Sequence, residues 1–192
     1  MAFQPVLDFS DRARFPNFND IPTIEGSHVL LGTYKENMSI TRPTYILEDR
    51  DKQSFAVTFM IANDSPVQPK FKKGAAVAVC GLARQEPNAA AGETKKSACI
   101  RVRAGEETRV VGLGVSLDRI LATSAASPLT ASCAACGKPE GKIEGMKRCT
   151  SCGWVKYCGK ECQMEGWSAK GHKGDCKAFR LLQAVLKENK MG

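Results

Sequence analysis

The residues best suited to chemistry are cysteines gathered in one stretch of the sequence. Seven of the nine cysteines and one of the two histidines lie between residues 133 and 176. Thiolate sulfur and neutral imidazole nitrogen are ligands that zinc prefers, and a closed set of four marks a structural site. We therefore predict two zinc ions, held by Cys133, Cys136, Cys149, Cys152, Cys158, Cys162, His172 and Cys176.

The spacing of these eight side chains divides them into four pairs. Two pairs follow the pattern Cys-x2-Cys, in which a tight turn can direct both sulfurs at one ion. Cys158 with Cys162, and His172 with Cys176, are four residues apart and would share one face of a helical turn. The spacing does not by itself select which pairs share an ion.

A disulfide scaffold is the main alternative interpretation of so many cysteines. Disulfides belong to oxidising compartments, and the first residues show neither a basic segment nor a long apolar run that would predict a secretory signal. Cysteine ladders that include a histidine favour metal binding. An iron–sulfur cluster is favoured less, because the ligands are already paired for zinc. We expect nuclear or cytoplasmic residence and no secretion.

The same stretch resembles a MYND-type zinc finger. Besides the eight ligands, the similarity rests on Tyr157 before a ligand, Gln163 after one, Trp167, and Lys173. The sequence departs from the family pattern at Gly166, where an Asp or His often precedes the tryptophan. The resemblance implies interleaved pairs, with one zinc on Cys133, Cys136, Cys158 and Cys162 and the other on Cys149, Cys152, His172 and Cys176.

The resemblance also implies a function. MYND fingers bind short proline-containing peptides of other proteins, often transcriptional regulators, and the family's contact positions correspond to Gln163 and Trp167. A proline-rich segment is extended and loses little entropy on docking, and a tryptophan face offers it a flat apolar surface. The competing interpretation is that Trp167 packs in a small core beside Tyr157 and Trp154.

Nothing in the sequence predicts an enzyme. A catalytic zinc keeps an open position for water, whereas eight ligands fill two closed sites. There is no Gly-rich phosphate loop, Gly-x-Ser-x-Gly or His-Glu-x-x-His motif. A SET-type methyltransferase domain, which accompanies some MYND fingers, has no counterpart here. We therefore expect a non-catalytic adaptor that binds protein partners.

Residues 28–122 have the pattern of a β-rich domain. Phe55, Val57, Phe59 and Ile61 alternate with more polar residues, as in a half-buried strand. Short strands at such intervals predict a small antiparallel barrel, and their order is similar to that of an OB-fold. The predicted strands are 28–31, 44–47, 54–61, 75–82, 99–103 and 109–115, followed by a short helix at 117–122.

These elements predict an α+β chain with five parts. They are an extended arm at 1–27, the β-rich domain at 28–122, a linker at 123–132, the finger at 133–176 and a C-terminal helix at 177–192. The helix is expected to pack back on the finger or the barrel. With a linker between them, the finger is expected to unfold without the β-rich domain.

The charge distribution leaves a second function open. The net charge is +8, of which +6 lies in residues 131–192. Seven thiolates and two zinc ions would lower the total to +5. The alternative to a peptide adaptor is nucleic-acid binding by the β-rich domain, with the finger as support and a steep loss of affinity in salt. Its phosphate contacts would be Lys72, Lys73, Arg101 and Arg103. No apolar run approaches the ~20 residues that span a membrane.

Overall fold

The computed structural model describes residues 7–86, 98–124, 132–139 and 145–188. Parts of the predicted arm, linker and C-terminal helix lie outside these ranges, as does most of a loop after residue 85. Seven strands form the main sheet: β1 (Val29–Asn37), β2 (Thr44–Asp49), β3 (Ser54–Phe59), β4 (Ala76–Cys80), β5 (Arg84–Gln85), β6 (Cys99–Val102) and β7 (Val110–Gly112). The remaining elements are β8 (Lys147–Arg148), β9 (Lys156–Tyr157), α1 (Leu117–Leu121), α2 (Lys160–Ser168), α3 (His172–Glu188) and two 3-10 turns, Phe18–Asp20 and Glu107–Arg109.

The seven strands form an open mixed sheet, so the predicted antiparallel barrel is wrong. Their order is β5-β6-β3-β2-β1-β4-β7, and β6 runs parallel to β3. Among the described residues, the edge strands β5 and β7 do not pair with each other. The strands predicted at 44–47 and 54–61 correspond to β2 and β3, which pair as an antiparallel hairpin. Alternation in a sequence reveals which face of a strand is buried, but not which strand lies beside it.

Strand β4 is covered on both faces, which explains its uninterrupted apolar sequence. All five of its residues are buried. Val77 and Val79 join one hydrophobic core, while Ala76, Ala78 and Cys80 join another on the opposite face. Small side chains on that second face let other elements approach the sheet closely. The sheet is therefore the middle layer of the molecule.

The first core contains aromatic and branched residues from every strand of the main sheet except β5, together with Phe18, Ile21 and Leu82. Phe55 stacks on Phe18 with ring centroids 4.7 Å apart, and Tyr45 packs edge-on against Phe59 at 5.7 Å. The Tyr45 hydroxyl donates to the carbonyl oxygen of Pro69 at 2.8 Å. The segment between β3 and β4 thus closes over this face.

The second core joins the sheet to the zinc segment. Phe179 of α3 stacks on Trp154 with ring centroids 4.4 Å apart, and both side chains are buried with Ala78 of β4. Leu182, Val185 and Leu186 extend the buried face of α3. The C-terminal helix therefore packs on both the finger and the sheet. The two regions share one hydrophobic core, although the sequence suggests a linker between them.

The predicted arm packs into both cores over its described part, from residue 7. Phe9 and Phe15 lie in the second core, where Phe9 also contacts Trp154 at 5.8 Å between ring centroids. The carboxylate of Asp49, only 2% exposed, accepts a hydrogen bond from the Phe18 amide at 2.9 Å. The arm is thereby fixed to the end of β2.

None of the helices in the described ranges is long and apolar enough to cross a membrane.

Candidate metal centre

The structure gathers the eight predicted ligands into two clusters. In each, the four potential ligand atoms lie within 4.8 Å of one another. One cluster contains only cysteines and the other contains three cysteines and a histidine, which is the interleaving that the family resemblance implies. The clusters are Cys133, Cys136, Cys158 and Cys162, hereafter the first cluster, and Cys149, Cys152, His172 and Cys176, hereafter the second cluster.

The spacing of the ligand atoms fits tetrahedral zinc. Zn–S bonds of about 2.3 Å in a tetrahedron place two sulfurs about 3.8 Å apart. The Sγ atoms of Cys136 and Cys158 are 3.5 Å apart, and those of Cys149 and Cys176 are 3.9 Å apart. These separations are far longer than a disulfide bond of about 2.05 Å, and none of the nine cysteines, all in the described ranges, forms a disulfide. Two structural zinc ions account for both clusters.

The two Cys-x2-Cys pairs have the same local structure. In each, the glycine after the second cysteine donates its amide to the carbonyl of the first cysteine: Gly137 to Cys133 at 2.9 Å and Gly153 to Cys149 at 2.7 Å. Both glycines have positive φ, 73° and 70°, which a residue with a side chain adopts at a cost. The glycine after each pair is therefore a sequence signal for these turns that the spacing alone misses.

Without a cation, the sulfurs in each cluster compete for ionisation. Burial opposes ionisation of Cys133, but backbone amides, that of Cys136 foremost, lower its pKa to about 6. A hydrogen bond from Cys152, opposed by burial, lowers the pKa of Cys149 to about 3. The hydrogen bond with Cys149, together with burial, raises the pKa of Cys152. A divalent cation removes this conflict, because it stabilises all the thiolates of its site together.

Helix α3 carries the last two ligands and also builds the core. His172 and Cys176 occupy its first turns, and the Nε2 atom of His172 lies 3.7 Å from the sulfur of Cys152. Farther along, the Gln183 side chain donates to the carbonyl oxygen of Cys152 at 2.8 Å. Zinc binding at the second cluster therefore fixes the helix that covers the sheet.

An ion pair adds a polar link between the finger and the sheet domain. The Arg119 guanidinium on α1 contacts the carboxylate of Asp175 on α3, with Nε 2.6 Å from Oδ1 and an NH2 group 2.9 Å from Oδ2. The same side chain donates to the carbonyl oxygen of Lys170 at 3.0 Å. This bidentate ion pair fixes the orientation of α1 relative to α3 as well as the distance between them.

The two clusters differ in exposure, so we expect zinc to leave them at different rates. All four ligands of the second cluster are buried, whereas Cys136 is exposed and Cys158 and Cys162 are half-buried. A colorimetric chelator should release two zinc ions per chain in two phases, the faster from the first cluster. Cys162→Ser should remove the fast phase and leave the slow one. Fewer than two zinc ions in the folded protein would contradict the ligand assignment.

The two residues predicted to contact a peptide lie on one exposed face of α2. Gln163 is exposed, and Trp167, one turn later, is 41% exposed. Met164, between them in sequence, is 60% exposed and extends the apolar part of this face. Met164 and Trp167 are three residues apart, and this helical spacing indicates from the sequence that they share one face of α2. Gln163, Met164 and Trp167 are hereafter the α2 face.

Gly166 permits a close contact inside the finger. It is buried in α2, and a β-carbon built there would lie 2.8 Å from the hydroxyl oxygen of Tyr157 and even closer to its ring. The Asp or His that often occupies this position in the family would not fit against Tyr157 in this arrangement. The glycine therefore allows the close approach of α2 to Tyr157 of β9.

Gly166→Ala is expected to destabilise the protein by about 1–3 kcal/mol through overpacking. This loss should exceed the gain of about 1 kcal/mol from better helix propensity. Urea unfolding measures the change. Gly159→Ala is the matched control, because a β-carbon there meets no atom within 4 Å. Equal stability of the two variants would show that Tyr157 does not press on α2.

The four basic residues of the nucleic-acid hypothesis do not form one patch. Lys72 and Lys73 precede β4, whereas Arg101 lies on β6, and three strands separate β4 from β6. Arg103 is already paired with Glu25 at 2.6 Å. A groove that tracks a phosphate backbone needs its cations in one continuous stripe.

Comparisons with known proteins agree with the metal sites. Residues 133–176 match the family model of the MYND finger. An F-box protein of Arabidopsis thaliana is 42% identical over 53 residues, which are 28% of this chain and 16% of that protein. A second F-box protein of the same plant is 44% identical over 43 residues, 22% of this chain and 11% of that protein. The ubiquitin carboxyl-terminal hydrolase 19 of Arabidopsis thaliana is 43% identical over 51 residues, which are 27% of this chain and 7% of the hydrolase.

These relatives share the finger region with this chain. The chain spans about a sixth or less of the length of each of them. No solved structure matches the chain. The similarity supports a two-zinc finger that serves as a protein-interaction module.

Proposed function

We propose that this chain, in which residues 133–176 are a MYND finger, is a non-catalytic adaptor that binds proline-containing peptide segments of partner proteins. The observation that carries the proposal is the exposed α2 face, where Trp167 and Gln163 lie together beside the second cluster. Partners that regulate transcription, and residence in the nucleus or cytoplasm, belong to the same proposal.

Trp167 is held in place before any partner arrives. Its ring meets the ring of His172 edge-on, with centroids 5.9 Å apart. Because His172 would be fixed by zinc, the tryptophan has a rigid support on one side and solvent on the other. A surface ordered in advance loses less entropy when a partner binds.

The two tryptophans of the chain have different environments. Trp154 is buried between Phe9 and Phe179, so it belongs to the core that joins finger and sheet. Trp167 retains much of its exposed surface. Core packing therefore accounts for the position of Trp154. It does not account for the exposed ring of Trp167, and exposed aromatic surface often marks an interface with a partner.

The polar neighbour of Trp167 suits a peptide backbone. The Gln163 side chain offers one acceptor and two donor hydrogens, and it lies one helical turn before Trp167. An extended proline-containing segment leaves carbonyl groups free, because proline has no backbone N–H to pair with them. A proline ring on Trp167 and a carbonyl on Gln163 would therefore be recognised together.

The names of the relatives support an interaction module that occurs in proteins of different kinds. Two are F-box proteins and one is a ubiquitin carboxyl-terminal hydrolase, and what they share with this chain is confined to the finger region. Proteins of different kinds thus carry the same finger. We accordingly propose partner binding for this chain, and neither ubiquitin chemistry nor any other catalysis.

A pull-down from nuclease-treated cell extract tests the proposal. The zinc-loaded wild-type protein should retain a set of proteins that Trp167→Ala loses. Ile40→Ala is the matched control, because Ile40 is an exposed apolar residue, 85% accessible, outside the finger. Retention of the same proteins by Trp167→Ala would contradict the proposal. Partners retained only from extract without nuclease treatment, or lost from every variant in moderate salt, would favour the nucleic-acid alternative.

A further inference from the structure

A cavity of about 200 Å³ lies where the finger meets the sheet domain. Helix α1 contributes Arg119, the turn after it contributes Ala122 and Thr123, and the finger contributes Tyr157, His172 and neighbouring residues. Ala122 is exposed whereas Tyr157 is buried. The cavity therefore reaches from solvent into the finger, and its wall includes residues that the finger alone does not have.

One residue of the cavity wall, Tyr157, has a buried hydroxyl that lacks a partner within the described part of the chain. The Tyr157 side chain is only 2% exposed, and among the described residues its hydroxyl makes no hydrogen bond. A buried hydroxyl without a partner costs free energy, so such groups are normally satisfied by protein, water or ligand. Because Tyr157 lines the cavity, a polar group that enters beside its ring could supply the missing partner.

The charges around the cavity nearly cancel. Arg119 is neutralised by Asp175. Lys170 lines the cavity with a positive charge, while three thiolates and one zinc ion leave the second cluster with one negative charge. Because Lys170 is exposed, water screens its charge, so a charged group that enters the cavity would lose hydration for little return, which is unfavourable. An uncharged polar group fits best.

The cavity adjoins the α2 face. Gly166, the residue before Trp167, lines it, as does His172, whose ring contacts Trp167. A peptide that crosses Trp167 therefore has one residue within reach of the opening. At ~30 Å³ per water molecule of liquid, the cavity has room for a side chain of several heavy atoms.

We propose that a proline-containing peptide bound on the α2 face inserts an Asn or Gln side chain into this cavity. The carboxamide oxygen accepts from the Tyr157 hydroxyl, and the carboxamide NH2 group can donate to Thr123 or Asp175. This extends the proposed peptide binding and rests on it. The specificity of the finger then depends on α1 and the turn after it, which lie in the sheet domain.

An array of immobilised peptides tests this extension. Each peptide carries a Pro-Pro pair, and Gln, Asn, Glu, Leu and Ala are placed in turn at each flanking position. The wild-type chain should prefer Gln or Asn at one position by about five- to tenfold, the effect of one buried hydrogen bond. Tyr157→Phe should bind the Pro-Pro peptides but lose the preference.

A second variant keeps the test independent of Tyr157. Ala122→Trp places a large side chain at the exposed wall of the cavity and should also abolish the preference, whereas Ile40→Trp should keep it. No carboxamide preference, a preference for Glu, or a preference that survives both substitutions would overturn the extension while leaving peptide binding intact. Failure of every peptide to bind in a Trp167-dependent manner would overturn the proposed function, and the extension with it.

Discussion

Replacing Cys149 with serine is expected to unfold the finger and to destabilise the seven-stranded sheet in the same transition. Cys149 belongs to the fully buried second cluster, and zinc binding contributes on the order of 10 kcal/mol to the folding of small zinc modules. That is comparable with the whole stability of a typical domain, about 5–15 kcal/mol. Because α3 joins the second cluster to the core beneath it, losing the zinc should expose one face of the sheet.

Hydrogen exchange measures this effect strand by strand. The amides of β4 and β1 should lose protection in Cys149→Ser together with those of α3. Cys99→Ser is the control, since Cys99 belongs to neither cluster. If protection in β4 stayed at the wild-type level while α3 exchanged freely, the finger and the β-rich region would be separate domains, as the linker predicted from the sequence implies.

Truncating Phe179 is expected to have the next largest effect, a loss of about 3–5 kcal/mol in the free energy of unfolding. The side chain is almost fully buried and stacks on Trp154 at an interplanar angle of 16°. Phe179→Ala would leave a cavity between finger and sheet that surrounding side chains fill only in part. Urea unfolding of the zinc-loaded protein measures the loss.

Trp167→Ala is the matched comparison for Phe179→Ala, because it also removes an aromatic ring, but from the exposed α2 face. We expect the free energy of unfolding to change by less than about 1 kcal/mol there, as is usual for surface positions. Similar losses for the two variants would mean that Trp167 is a core residue, and peptide binding by α2 would lose its main support.

The metal sites could be predicted because metal binding depends on residue types that the sequence shows directly. Cysteine and histidine at short, regular intervals have few roles other than metal binding, so all eight ligands could be named before any fold was considered. The pairing of Cys133 with Cys158 rather than Cys149 did not follow from spacing. It came from the family resemblance, and the clusters in the structure have that composition.

The order of the strands could not be read from the sequence. The alternation of Phe55, Val57 and Phe59 predicted a half-buried strand correctly, but the same pattern suits a barrel and an open sheet. What decides between them is which strand edges meet, and that depends on contacts distant in sequence. The parallel pairing of β3 with β6 is one such contact.

The sequence of β4 indicates that both faces of the sheet are covered, as they are by the packing of the finger on one of them. Ala76, Ala78 and Cys80 alternate with larger valines along β4, and a strand that is apolar on both faces must be covered on both. The sequence gives no indication of what provides the cover. The contact of Phe9 with Trp154, separated by most of the chain, likewise arises only from the fold.

A photocrosslinking amino acid at position 164 tests peptide binding by the α2 face most directly. Met164 is 60% exposed and lies between the two proposed contact residues in sequence. In nuclease-treated extract, light should join the zinc-loaded protein to partner proteins at proline-containing segments, which mass spectrometry can identify. The same substitution at Ile40 should give none of these adducts. Identical adducts at both positions, or adducts at segments without proline, would contradict recognition of proline-containing peptides by this finger.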